Sequence, residues 1–439
     1  MTSAAALVNG SLVLGDRDGT VSTGHTIVIG AGGDIERVGP ADEVEVPAFC
    51  RVIDISGRYV IPGLINAHAH LFADGRPLPS IYANKFLEPL TMRFLRGPLG
   101  RRMLAGRTER NVATQLNSGV TTLRSVGDVA YEVVAERDAI ERGERIGPRV
   151  QASGPLLAVP GGHGAPQIAL ITDSPEEARR NVRINLRNGA NAIKVSATAG
   201  VTDAVRVGYA GKPEMTETQI AAVCEEAHSA GVLVAAHAQS KEGILLALRA
   251  GVDTIEHGAG MTQEMIELYT DNQRSLRGYS AVIPTLLAAV PLVKLDRSVT
   301  TIDDVVHANA ELVLDEMLAG IRDAQANGVV MGMGSDSALT FSTHYDIWRE
   351  MDLLVRYGGL STAQVLNAAT QVNARILGVD DVTGAIEVGM AADLVVLGAN
   401  PLDGFRALAR PEMVVVRGHI IDAPEVKRFP AMEAQLDSL

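Results

Sequence analysis

The chain has 439 residues, 46% of them hydrophobic, and a formal net charge of −13. That length holds one barrel-type domain of roughly 250 residues with a smaller companion, and the hydrophobic content can fill a large core. The negative charge argues against nucleic acid or an anionic membrane as partner. The two cysteines, Cys50 and Cys224, are too few for a disulfide framework and fit a reducing, cytoplasmic location.

Residues 1–58 read as short strands, ALVNGSLVLG, HTIVIGAGGDIERVG and CRVIDISG, separated by turn signals at Asn9-Gly10, Asp18-Gly19 and Gly32-Gly33. No helical period runs through them, and no stretch approaches the ~18 apolar residues of a membrane span. This segment is expected to be a small β unit.

From Gly63 the pattern becomes apolar strand, turn, amphipathic helix, repeated. The strand candidates are Val60–Ala67, Val120–Val126, Arg149–Leu157, Asn191–Ala197, Val232–Ala236, Val252–Ile255, Ser280–Leu286 and Val329–Met333. Capping boxes at Ser174 to Glu177, Thr216 to Gln219 and Ser361 to Gln364 open three of the helices. Buried strands alternating with capped helices mean a parallel sheet with crossovers, and eight such units imply a closed (β/α)8 TIM barrel over 59–379. After the helix Thr362–Leu377 the chain turns β-like again, in VTGAIEVGMAADLVVLG and MVVVRGHIID. Residues 1–58 and 380–439 are therefore expected to form one small β-sandwich, with the barrel inserted between them.

In such barrels, chemistry sits at the C-terminal ends of the strands. The first strand ends in His68 and His70, which share a face because side chains alternate along a strand. The bland alternative for this pair is two half-buried imidazoles bonded to backbone. The fifth strand ends in His237, the sixth in His257 and the eighth in Asp336. Four of the ten histidines thus converge on one barrel mouth, a pattern expected of a transition-metal site. Lys194 lies inside the apolar fourth strand. It is either a buried lysine paired with a carboxylate or, with its pKa lowered by burial and cations, a neutral amine able to add CO₂. The resulting carbamate is an anion whose two oxygens can bridge two metals.

These residues, with the leading VIPGLINAHAH and the trailing GAIEVGMAADLVVL, resemble the metal-dependent amidohydrolase superfamily over nearly the whole chain. Within it the chain is similar to the imidazolonepropionase-like branch, which holds Xaa-Pro and Xaa-Arg dipeptidases, ochratoxin-type N-acyl amino acid amidases and phenylurea-type hydrolases. The resemblance implies a small-molecule substrate and two divalent ions about 3.5–4 Å apart, zinc being the expected metal. His68, His70 and Asp336 would hold one ion, His237 and His257 the other, with carboxylated Lys194 as the bridge. Asp336 would take the proton of the bridging water as it attacks an amide carbonyl, in a dipeptide or an N-acyl amino acid. A cyclic amide, arylurea or carbamate is the alternative substrate class. The shared loop PGGHG suggests His163 as a substrate contact, and Tyr209 and Arg206, in the loop after the fourth strand, are weaker candidates; each is otherwise a loop-packing or solvated residue. One departure is LRSVGD, Leu123–Asp128, where many relatives carry Asp after the Arg. His25, His228, His307 and His419 have structural readings, and His344, close after Asp336, is either a pocket-lining residue or, as expected, a surface one. A homo-oligomer is expected.

Overall fold

The computed structural model describes residues 4–77 and 88–439. Strands from both ends of the chain join in one eight-stranded sheet. Tyr59–Pro62 pairs antiparallel with Leu394–Leu397 and parallel with Ala5–Val13, so the N- and C-terminal segments meet at this strand. The two ends also share a core, in which Leu7, Ile27 and Val60 pack with Leu394, Val396 and Val415. Ala5–Val13 changes partner along its length. Arg51–Asp54 pairs with its first half and Tyr59–Pro62 with its second. The switch falls at Asn9, which has φ +64 and precedes Gly10 in the predicted turn.

The inserted segment forms a ring of parallel strands. Leu64–Ala69, Val120–Ser125 and Arg149–Ala152 make one run, and Leu156–Ala158, Ile193–Ser196, Val234–Ala238, Thr254–His257 and Ala281–Ile283 make another. The expected third strand, Arg149–Leu157, is broken at Ser153–Pro155, where Gly154 takes φ +63, a conformation that suits glycine. The amides of Asn191 and Ala192 bond the Ala152 carbonyl across this break.

The eighth position departs from expectation. Residues 329–337 form no continuous strand and touch their neighbours through two parallel bridges, Val282 to Met331 and Ala69 to Ser337. Main-chain bonds from Ala67 to Met333, Asp336 to His68 and His70 to Ser337 close the ring nonetheless. Side chains supply the rest of the seam. Buried Asn66 donates to Ser335 Oγ at 2.8 Å and accepts from the Ser335 amide at 3.0 Å. Asn373 donates to the carbonyls of Ile65 and Met333. Asn373 follows a π-helical turn, Ala368–Val372, that interrupts the expected helix Thr362–Leu377. Close approach also requires Gly334: a Cβ there would fall 2.4 Å from His68 Cβ.

The predicted caps form. Ser174, Thr216 and Ser361 accept from the amides of Glu177, Gln219 and Gln364, fixing where each crossover helix starts. Among the described residues no helix is long and apolar enough to cross a membrane.

Candidate metal centre and active site

Strand periodicity brings His68 and His70 to the inner face of the first strand, and Asp336 reaches them across the irregular eighth. The Asp336 Oδ1 atom lies 3.2 Å from His68 Nε2 and 3.3 Å from His70 Nε2. His257 approaches Asp336 Oδ2 at 4.0 Å, its ring 5.2 Å from that of His68 and 4.6 Å from that of His237. All five residues are buried. His257 and Asp336 both hold positive φ, +72 and +49, a left-handed backbone that costs such residues of order 1–3 kcal/mol each. Strain concentrated on two neighbouring polar residues is a mark of a functional site.

Hydrogen bonds at Nδ1 orient three of the imidazoles. His68 Nδ1 meets the Glu256 carboxylate at 2.5 Å, and His70 Nδ1 donates to the Gly127 carbonyl at 3.1 Å. His257 Nδ1 meets Thr285 Oγ1 at 2.7 Å. With Nδ1 of His68 and His70 donating in this way, their Nε2 atoms are left with the lone pair free, the form that ligates a metal, whereas the Thr285 hydroxyl can either donate to or accept from His257. Burial lowers the pKa of His70, and lowers those of His237 and His257 well below the usual value, so these rings are neutral. Burial opposes the charge on Asp336, but His68 and His70 outweigh it and hold the carboxyl well below its ordinary range. Two buried polar atoms here, His237 Nε2 and Asp336 Oδ1, lack any hydrogen bond among the described residues. An orphaned imidazole nitrogen and an orphaned carboxylate oxygen, in a nest of neutral histidines, fit a divalent cation. His68, His257 and Asp336 alone place three ligand atoms within 4.8 Å of one another.

Lys194 is buried on Ile193–Ser196, two residues before the level of His237. Burial lowers its pKa to about 8, against the opposing pull of Glu256 and Asp336, which act on it through charge. The carboxylate that could have paired with it is committed elsewhere. Glu256 accepts from Arg124 Nη2 at 2.8 Å and from Thr254 Oγ1 at 2.5 Å, besides its contact with His68. Arg124 is itself wholly buried and also donates to the Ala67 carbonyl. The sequence reading does not reach Glu256 or assign Arg124 a partner. The available signal is the pair Thr254 and Glu256, two apart on one strand face, opposite a lone arginine in an apolar strand.

Around the mouth, His163 stacks on His237 with ring centres 4.1 Å apart. Asp203 holds His163 Nδ1, and Glu214 accepts from its amide at 2.8 Å. Arg206 is exposed and Tyr209 half-buried. Their loop is anchored by buried Asn309, which donates to the Arg206 carbonyl and accepts from the Ala210 amide. The structure thus joins His163 to the cluster, while the Arg206 side chain stands in solvent. At the LRSVGD departure, Ser125 Oγ donates to Asp128, a buried carboxylate three residues on. His344 corrects the expectation of a surface residue. It is buried, bonds the Ala73 carbonyl through Nε2 at 2.7 Å, and meets Gln115 through Nδ1.

Residues 59–421 match the amidohydrolase family model. Over its whole length the chain is similar to the crystal structure of a proposed prolidase from Bifidobacterium longum, at 47% identity and a TM-score of 0.89, covering 99% of that chain. It is also similar to a Xaa-Pro dipeptidase with methionine bound in its active site, at 28% identity and a TM-score of 0.80, covering 96% of this chain and 100% of that one. Ochratoxinase from Aspergillus niger is 27% identical over 380 residues, 81% of this chain and 73% of that protein. The chain belongs to the amidohydrolase family, in the branch that includes imidazolonepropionase, and is an enzyme acting on amide C–N bonds.

Proposed function

We propose that this chain is a binuclear metal-dependent hydrolase of small amides that carry a free carboxylate, such as dipeptides and N-acyl amino acids. The observation that carries the reading is the buried cluster itself. Neutral imidazoles and an ionised Asp336 converge with two polar atoms left unpartnered. His68, His70 and Asp336 would hold one ion and His237 and His257 the second, with carboxylated Lys194 shared between them. Divalent ions, zinc being our expectation, would polarise the scissile carbonyl and acidify a water. Asp336 then accepts the attacking water's proton and delivers it to the leaving nitrogen. Glu256, Gly127 and Thr285 keep the imidazoles aimed throughout. His163, beside His237, is placed to meet a substrate carbonyl or carboxylate, and Arg206 and Tyr209 would add contacts from the anchored loop. The substrate class draws support from the dipeptidase and ochratoxinase relatives. We read the terminal segments, 1–58 and 380–439, as a β-sandwich supporting the barrel, and the active form as a cytoplasmic homo-oligomer.

The test is a hydrolysis panel of dipeptides, N-acyl amino acids, their C-terminal amides, cyclic amides and arylureas. Charge-assisted bonds to a carboxylate contribute roughly 1.5–3 kcal/mol each, so free acids should outperform matched amides by about ten- to a hundredfold in kcat/KM. Equal rates for acid and amide would overturn carboxylate recognition, and a preference for arylureas or cyclic amides would move the substrate class.

A further inference from the structure

A cavity of about 240 Å³ lies between the helix Ile347–Arg356, the turn at 404–406 and the C-terminal helix Pro430–Leu436. None of its lining residues belongs to the metal cluster. Its apolar side comes from Leu353, Phe405 and Leu436. Its polar side sets three arginines beside the carboxylates of Asp352 and Asp437. Arg349, Arg356 and Arg406 line it together with Trp348, and the Arg349 and Arg406 guanidiniums lie 4.4 and 4.9 Å from the Trp348 ring centre.

The donors outnumber the acceptors. Each guanidinium carries five N–H groups. Arg349 places its bonds on Asp346 and Asp437, Arg356 on Asp352 and the Leu439 carbonyl, and Arg406 on Asp437 alone. Asp437 is therefore shared by two arginines, and the Arg356 bond to Asp352 is long, at 3.4 Å. Trp348 is only 5% exposed, and its buried Nε1 has no hydrogen-bond partner among the described residues. Arg356 and Arg406 stand at the solvent side with 47% and 66% of their side chains open, while Arg349 and Trp348 close the inner end.

We infer that this cavity is a second ligand site, taking a small carboxylate with an apolar tail. The carboxylate accepts from the under-used guanidiniums of Arg356 and Arg406, and the tail covers Leu353, Phe405 and Leu436. The volume suits a short organic acid; drug-sized pockets run from roughly 300 to 1,000 Å³. The inference is independent of the substrate assigned to the metal centre.

Trp348 is the only tryptophan in the chain, so its fluorescence reports on this cavity alone. The full-length protein is titrated with hexanoate and, in parallel, with hexanamide. The expected result is a saturable change in emission for hexanoate with a Kd on the order of 1 mM or tighter, and binding of the amide at least about tenfold weaker. Arg356→Ala and Arg406→Ala should each weaken hexanoate about tenfold or more; if either unfolds by circular dichroism, Arg406→Lys, which keeps the charge and loses the planar fork, replaces it. A His237→Ala protein should respond as the unaltered protein does. The inference is overturned by no saturable change, by equal binding of acid and amide, by arginine variants that bind normally, or by loss of the response in His237→Ala, which would put the binding at the barrel mouth.

Discussion

Replacing Glu256 with glutamine isolates the part of the centre that lies beneath the ligands. The carboxylate receives three donors, from Arg124, Thr254 and His68, with no exposure to solvent. Burial opposes its charge, and Arg124 foremost, then Lys194 and His68, lowers its pKa below the ordinary carboxylate range. A glutamine keeps one acceptor oxygen and turns an NH₂ toward either the Arg124 guanidinium or the His68 N–H, so one donor faces another. Removing one partner of a buried ion pair typically costs about 3–5 kcal/mol, a large share of the roughly 5–15 kcal/mol that holds a domain folded. Because one acceptor survives, the lower end, about 3 kcal/mol, is expected. A metal affinity lower by about 10–100-fold should accompany it, since His68 loses the group that fixes its tautomer. The assays are urea denaturation of metal-free protein and competition for metal against a chelator. Glu144→Gln, which removes an exposed pair with Arg142, is the control and should change neither. Stability within about 0.5 kcal/mol of the unaltered protein together with unchanged metal affinity would refute the role given to Glu256, since both costs are required.

Further outcomes follow from the same geometry. Asp336→Asn keeps an oxygen for a metal but cannot accept a proton, so kcat should fall by at least about 10²–10⁴ with a smaller change in KM; unaltered turnover would remove Asp336 from the mechanism. Lys194→Ala should lower the bound metal, and a short added carboxylate should restore part of it. Burial lowers His344 from 6.5 to about 4. The unfolded chain therefore takes up this proton first as pH falls, and stability present above about pH 6.5 is lost towards pH 4, by roughly 3 kcal/mol. Urea denaturation across that window should show a flatter acid limb in His344→Gln than in the unaltered protein. Glu350, buried, accepts from the amides of Leu286 and Leu287 directly after Thr285. Glu350→Ala strands both amides, costing about 1–3 kcal/mol each, and should weaken metal binding through Thr285 and His257, whereas Glu350→Gln should keep most of both.

The clustering of these side chains was legible because it rests on one strong regularity. A strand that ends in a polar residue after an apolar run delivers it to the barrel mouth, as His68, His70, His237 and His257 do, while Asp336 reaches the same place from a segment that is not a continuous strand. The caps were legible because Ser or Thr followed three residues later by Glu or Gln satisfies orphan amides whatever the tertiary setting. What escaped depends on contacts between distant segments. Arg124 and Glu256 are 132 residues apart, and nothing local marks them as a pair. His344 was expected at the surface, yet Ala73 and Gln115 come across the fold to bond it in a buried position. The seam at the eighth position reads as a strand from Val329–Met333, but Asn66 and Asn373 side chains replace part of the ladder there. Gly154 breaks the third strand for a conformational reason that an apolar count does not register.

The central claim is that the buried histidine–aspartate cluster is a hydrolytic metal centre. The most direct measurement pairs metal content with hydrolysis of a dipeptide or N-acyl amino acid on the same samples, as purified, after chelation and after adding zinc back. The account predicts about two ions per chain at full activity, loss of both together, and recovery of both together. Full activity in protein carrying no metal would contradict it.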